Sequence, residues 1–344
     1  MLSLSFIKQA AASLGFTFCG VVPAVPSPTL DAYLHWIDAG MHGAMGYLAR
    51  PDRVARRQDL NVILPGVKSL VMVGLDYRTA AVSADILMDR SRGRIAAYAW
   101  GSDYHDIINA KLNQLAGVVA SQFHKIYVDT GAILERSHAQ QAGFGFIGKN
   151  TMLIHPRHGS NFFLGEMLTD AEFDEYDTPM EPAPSCGSCT RCMMACPTNA
   201  FPAPHVLDAR RCISYHTIEN KGSIPEELRP RFGNWIFGCD VCQDVCPFQR
   251  FAPVTPEQAF FPVNVDRAAP KLADLLAMDE ITFKSRFAGS PLIRTGLSRL
   301  VRNACVAAGN SLDLSLIPLL EHHVTSEDPL IAEHAQWGLE RLTR

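Results

Sequence analysis

Hydrophobic and polar positions along the first half of the chain follow two alternating periods. Leu4, Ile7, Ala11 and Leu14 recur at helical spacing, and Gly15 suits the residue just past a helix end. Residues 16–22 then read as a strand closed by Pro23, and apolar runs at 69–75, 125–129 and 151–154 read as further strands. Between them, residues 104–123 place Ile107, Ile108, Leu112, Leu115 and Val119 on one helical face. Strands alternating with helices predict an α/β domain over residues 1–180. The stretch at 180–185 (Met-Glu-Pro-Ala-Pro-Ser) reads as a linker. Residues 181–255 carry little periodicity. From Leu272 onward the pattern is helical, and Asp328 before Pro329 predicts a capped helix over 330–342. Three short amphipathic helices suggest a pair of stacked HEAT-like units in a tail domain over 256–344.

Composition narrows the class without naming it. The 344 residues hold 31 basic and 35 acidic side chains, a net charge of −4, which excludes a protein that coats nucleic acid by bulk charge. A local basic patch is still compatible. No apolar run approaches the ~18 residues of a membrane span. Lys8 followed by small apolar residues could open a secretory signal, but the helix-then-strand pattern favours a folded N-terminus. The expectation is a cytoplasmic monomer of two or three domains with no membrane partner.

Ten cysteines change the picture. Cys186, Cys189, Cys192 and Cys196 form C-x2-C-x2-C-x3-C followed by Pro197, and Cys239, Cys242 and Cys246 repeat the end of that run before Pro247. The missing first position of the second run is Ile236, with Cys212 as the available substitute. This is the bacterial ferredoxin pattern, in which the fourth cysteine of each run ligates the other cluster. That rule predicts one 4Fe–4S cluster on Cys186, Cys189, Cys192 and Cys246, and a second on Cys196, Cys212, Cys239 and Cys242. Two zinc sites would also use eight thiolates, but they favour separated C-x2-C pairs. A disulfide framework belongs to small secreted chains. Cys19 and Cys305 lie in apolar segments and read as core thiols.

Two clusters form an electron wire, which predicts a redox acceptor in the α/β part. Neither G-x-G-x-x-G nor G-x-x-x-x-G-K-[ST] is present. Asp103-Tyr104-His105 starts like the D-x-H-x-x-G element that supplies a histidine to cobalt, but position 108 is Ile.

Several segments together resemble the epoxyqueuosine reductase family, which acts on tRNA. They are YAWGSDYH at 98–105, VDTGAILER at 128–136, AGFGFIGKNT at 142–151, the run at 186–197 and GCDVCQDVCP at 238–247, with Arg302-Asn303-Ala304 in the tail. The resemblance implies cobalamin bound between the α/β and ferredoxin parts, with no histidine on cobalt. It implies a catalytic carboxylate at Asp129 and corrin-lining positions at Arg57, Thr130, Gly131, Asn150 and Ser214. Some members carry a Cys four residues before the Trp of the first segment. Here that position is Ala96, so a thiol there is not essential.

Removing an epoxide oxygen to leave an alkene takes two electrons and two protons. The clusters and a reduced cobalt suit the electron part. Asp129 would serve as general acid, kept protonated by burial beside the corrin, where the rival role is a helix cap at a strand–helix junction. The partners implied are a tRNA and an external electron donor. Residues 281–310 hold Lys284, Arg286, Arg294, Arg299 and Arg302 with no Asp or Glu, a patch suited to phosphates, and Lys221 is a further candidate. A corrinoid reductive dehalogenase would share the cofactors but usually carries a twin-arginine signal. A pure iron–sulfur electron carrier would leave the α/β motifs without a task.

Overall fold

The run at Ser69–Asp76 is apolar enough to be buried along its whole length, so both faces of the sheet it forms must be covered. The computed structural model, which describes residues 2–119 and 121–344, shows how this is done. Ser69–Asp76 lies between Phe18–Pro23 and Phe162–Thr169, with His124–Tyr127 at the far edge, and every pairing is antiparallel. Helices Leu4–Ser13 and Tyr104–Ala116 cover one face, packing Ile7, Ala11, Ile108 and Leu112 against Val71, Val73 and Met167. A Cβ at Gly165 would meet Ile108 at 2.8 Å and Leu112 at 2.9 Å, so the second helix can lie this close only over a glycine. The helix Glu135–Gln141 closes the other face, where Ala139 and Ile133 join Leu70, Met72 and Leu168.

Two predicted boundaries shift for local reasons. The helix expected over 104–123 ends at Ala116, where Gly117 and the β-branched Val118 and Val119 weaken helix propensity; Ala120 lies outside the described residues. The strand expected over 125–129 is His124–Tyr127, because Asp129 adopts a left-handed φ of 57° that cannot continue a strand. Leu153–Ile154 pairs with Phe146–Ile147 in a small separate hairpin.

The cysteine-rich segment is tied to the α/β part by Trp235–Phe237, which runs parallel to Arg94–Ile95. Ile95, Trp100, Ile236 and Phe237 enter one core with tail residues Leu300, Ala304 and Leu320. The tail is helical, built mainly on Leu297–Ser311, Ile317–Val324 and Pro329–Thr343. Asp328 accepts from the Leu330 amide, the cap expected from the sequence. The two long helices touch at Gly309 and Gly338, where an added Cβ would come within 2.8 Å of the facing backbone.

Arg302 does not belong to a basic surface. It is fully buried, and its guanidinium donates to the carbonyls of His216 (2.5 Å), Asn220 (2.8 Å) and Gly222 (2.7 Å) and to Asn303 Oδ1. It fastens the tail to the loop after the Ile213–Ile218 helix and is unavailable to phosphate.

Candidate active site and cluster ligands

Short spacing lets each cysteine run turn back on itself, and the fold then crosses the runs. Cys186, Cys189, Cys192 and Cys246 line one cavity, together with Asn150, Arg191, Pro247 and Phe248. The other four cysteines also assemble: burial pushes the Cys242 thiol well up, and charge on Cys239, Cys212 and Cys196 acts in the same direction. Backbone amides point at two of these sulfurs, Lys149 N to Cys186 Sγ at 3.4 Å and Ala200 N to Cys196 Sγ at 3.3 Å. Such bonds stabilise the reduced, more negative state of a cluster. The Lys149 ammonium donates to the carbonyls of Gly187 (2.7 Å) and Cys189 (3.0 Å), bracing the first run. Among the other cysteines, Cys305 is fully buried and Cys19 half-buried, and burial pushes each thiol up to about 12.

Asp129 follows the edge strand on its left-handed turn. The Tyr104 hydroxyl donates to Asp129 Oδ2 at 2.9 Å, and the Tyr104 ring stacks on Phe163 at 4.1 Å. Burial, then the Asp129 charge, raises the Tyr104 phenol far above its ordinary value, so Tyr104 can only donate here. Arg53 holds the next residue by donating to the Thr130 carbonyl at 3.3 Å. Asp129 and Thr130 are both exposed, so the burial expected of Asp129 from the sequence is not supplied by the protein itself. Nor does Asp129 cap the helix that follows, which starts six residues later after Leu134. Gly131 packs against the Tyr127 ring, where a Cβ would stand 2.8 Å away.

Three further carboxyls, none of them foreseen, lie within electrostatic reach of Asp129. Glu135 keeps some solvent contact although protein surrounds it, as on a cleft wall; burial, then Asp129, pushes its carboxyl up to about 7 against Arg57 and Arg136. Glu166 is fully buried, and neither carboxylate oxygen has a hydrogen-bond partner among the described residues. Its one sequence signal was an acid inside the apolar strand Phe162–Thr169. Glu219 is pushed up by burial and then by Asp129, and is relieved by Arg299 and Lys221, which brings those two cations to the same region.

The remaining expected positions are distributed as follows. Arg57 is buried with its guanidinium 4.9 Å over the Tyr33 ring, and its Nε has no partner among the described residues. Asn150 is buried and donates to the Cys242 carbonyl at 3.2 Å, joining the glycine-rich segment to the second cysteine run. Ser214 is half-buried in Ile213–Ile218. Ala96 is buried against Gly238, whose added Cβ would stand 2.5 Å from the Ala96 Cβ. His105 is engaged with Asp103 (2.8 Å) and Arg294 (3.0 Å), so it is no free ligand. In the basic run, Arg294 is half-exposed and pairs with Asp103, while Lys284 pairs with Glu280 just outside the acid-free window. Arg286 lies near Asp266 and Asp274, and Arg299 donates to the carbonyls of Thr295, Ile218 and Arg294. Lys221 is exposed.

A family model described as "4Fe-4S double cluster binding domain" matches residues 185–249, and one described as "Epoxyqueuosine reductase QueG, DUF1730" matches residues 57–130. An epoxyqueuosine reductase of Xanthomonas campestris pv. campestris is 40% identical over 342 residues, covering 97% of this chain and 94% of that protein. The chain belongs to the epoxyqueuosine reductase family. An epoxyqueuosine reductase solved with an epoxyqueuosine-modified tRNA-Tyr stem loop is 32% identical with a TM-score of 0.89, over 99% of this chain and 90% of its own. The Bacillus subtilis epoxyqueuosine reductase, solved with its catalytic aspartate loop swung out of the active site, is 32% identical with a TM-score of 0.87, over 98% and 90%. The chain is thus an oxidoreductase of this family with a double-cluster domain. No helix among the described residues is long and apolar enough to cross a membrane.

Proposed function

We propose that this enzyme reduces epoxyqueuosine to queuosine in tRNA, using cobalamin and electrons delivered through two 4Fe–4S clusters by an external donor. The observation that carries the reading is the Asp129 turn: an exposed carboxylate on a left-handed residue, gripped by Tyr104 and near enough to act on Glu219 of the cysteine-bearing segment. The Bacillus subtilis relative has a catalytic aspartate loop. Asp129 delivers a proton to the departing epoxide oxygen, and Tyr104 fixes its Oδ2 so that Oδ1 faces the substrate. Cys186, Cys189, Cys192 and Cys246 hold one cluster, and Cys196, Cys212, Cys239 and Cys242 the other.

The residues present fit cobalamin. The Arg57 Nε donor lacks a partner among the described residues, as expected of a group that awaits an acceptor on a ligand, and Thr130, Gly131, Asn150 and Ser214 are the further corrin positions that the family resemblance implies. When bound, cobalamin supplies the strongly reducing nucleophile that opening the epoxide requires. The tRNA docks through cations near the site, Lys221 and Arg299 first, with Arg294, Lys284 and Arg286 farther along a HEAT-like tail. The modified base leaves its stack to reach Asp129.

Anaerobic reconstitution, metal analysis and single-turnover assays on epoxyqueuosine-bearing tRNA test this. Iron, sulfide and cobalt at eight, eight and one per chain would follow from the proposal (two 4Fe–4S clusters, one corrin). Asp129→Asn should keep cofactors and tRNA affinity but turn over ~10²-fold more slowly. A reconstituted protein without cobalamin, or a normally active Asp129→Asn, overturns it.

A further inference from the structure

Deoxygenation consumes two protons for each substrate, but Asp129 carries one at a time. Another carboxyl must refill it, or bulk water must. The fold puts two further acids behind it. Glu166 sits on Phe162–Thr169 directly opposite Tyr127 of the edge strand, two residues before Asp129. Residues paired across a ladder share a face, and this face also carries Leu70, Met72 and Leu168 beneath the Glu135–Gln141 helix. Glu135 opens that helix. The three carboxyls act on one another electrostatically, Asp129 on Glu135 and both on Glu166.

Glu166 has no structural explanation as an ion. Both its oxygens are buried without a partner among the described residues, and its neighbours across the sheet are Met72 and Tyr127. A charged carboxylate there would cost several kcal/mol. The charged groups around the pair are Asp129 on the turn, Arg57 from Pro51–Gln58, and Arg136 on the helix itself, which also brings the buried His138. The cations act on Glu135, the member open to the cleft, whereas Glu166 feels only burial and the two other carboxyls among the described residues.

We propose that Glu166 and Glu135 store protons behind Asp129 and reload it after its first proton has gone to the departing oxygen. The O–H bond of the Glu135 carboxyl breaks, one forms on the Asp129 carboxylate, and Glu166 then restores Glu135. No direct hydrogen bond joins Glu166 to Glu135, so water completes that step. Reloaded Asp129 gives the second proton, and the oxygen leaves as water; the electrons are those of the reductase reaction. The inference rests on Asp129 as general acid. It is consistent with Glu135 titrating near 7 and Glu166 well above the usual carboxylate range, burial being the largest cause for each.

Glutamine is nearly isosteric with a neutral glutamic acid, so it keeps a structural role and removes the proton. The holoenzyme variants Glu166→Gln and Glu135→Gln should keep cluster content, cobalamin and KM for tRNA, while kcat falls about tenfold. The wild-type rate should decline as pH rises through about 7, where Glu135 empties, and Glu135→Gln should lose that limb. Infrared difference spectra at pH 8 should show a protonated carboxyl that is absent in Glu166→Gln. Wild-type kcat and pH profile in both variants, or no such carboxyl band, overturns the store. If Glu166→Gln fails to fold, Glu135→Gln and its pH profile decide. A slow Asp129→Asn beside unaffected glutamine variants sinks the store alone, whereas a normal Asp129→Asn sinks the general-acid reading beneath it.

Discussion

Arg294 reaches from the tail to Asp103, with Nη2 2.6 Å from Oδ2. Asp103 also accepts from the His105 amide at the start of Tyr104–Ala116, so one carboxylate caps a helix and anchors the tail to it. The first residue of that helix is Tyr104, the donor to Asp129. A tail residue expected to meet phosphate is therefore two contacts away from the proposed acid. Its exposed half can still face an RNA backbone, and docking there would bear on the element that aims Asp129.

Arg302 supplies the clearest stability prediction. Arg302→Met fills a similar volume but leaves the buried carbonyls of His216 and Asn220 without their donor, each costing about 1–3 kcal/mol, and frees the more exposed Gly222 carbonyl to water. We expect a loss of about 3–5 kcal/mol in urea unfolding, the range for breaking buried charged networks. Burial lowers its pKa to about 10, so it stays charged at neutral pH and the effect should not vary between pH 6 and 8. A loss below ~1 kcal/mol would mean that the loop after Ile213–Ile218 finds other donors.

His138 gives a pH dependence. Burial alone lowers its pKa from 6.5 to about 4, so the folded state keeps it neutral where the unfolded chain takes up a proton. Stability contributed this way is full above pH 6.5 and is lost as pH falls from 6.5 towards 4, by up to roughly 3 kcal/mol. His138→Gln should flatten that part of the stability–pH curve relative to wild type. Parallel curves for the two proteins would show that His138 is protonated in the folded state.

Sequence exposed what short spacing controls. The cysteine runs were legible because turns of two and three residues bring Cys186, Cys189 and Cys192 to one cavity, which Cys246 also lines. Asp129 was expected to end its strand and to be buried, whereas it stands on a left-handed turn two residues past Tyr127 and is exposed. Exposure depends on what packs beside Tyr104 and Thr130, and Glu166 reaches this region only through strand pairing some 40 residues along the chain. Arg302 misled for the opposite reason: an acid-free stretch suggested a surface, while its partners lie more than 80 residues upstream. Charge patterning carries no information about such distant carbonyls.

The crossing of the cysteine runs can be tested one ligand at a time. Cys246→Ala should damage the cluster site lined by Cys186, Cys189 and Cys192, although Cys246 belongs to the other run. Electron paramagnetic resonance of the reduced protein should then lose one signal while iron falls by about half. Cys196→Ala should remove the other signal. Loss of the same signal in both variants would contradict the crossing.

Lys221 tests the RNA surface without disturbing the fold. It is exposed, makes no ion pair among the described residues, and lies close enough to Glu219 to act on its charge, as Arg299 does. If Lys221 meets a phosphate, Lys221→Ala releases one fewer counterion on binding. The slope of log K against log salt should then shrink by about 0.7–0.9, with affinity weakened for tRNA with or without the epoxide. Arg302→Met, assayed below its unfolding transition, should leave the slope unchanged because its charge is fully enclosed. Equal slopes for wild type and Lys221→Ala would move the phosphate contacts away from the Glu219 side of the cleft, towards Arg53 and Arg56 on Pro51–Gln58.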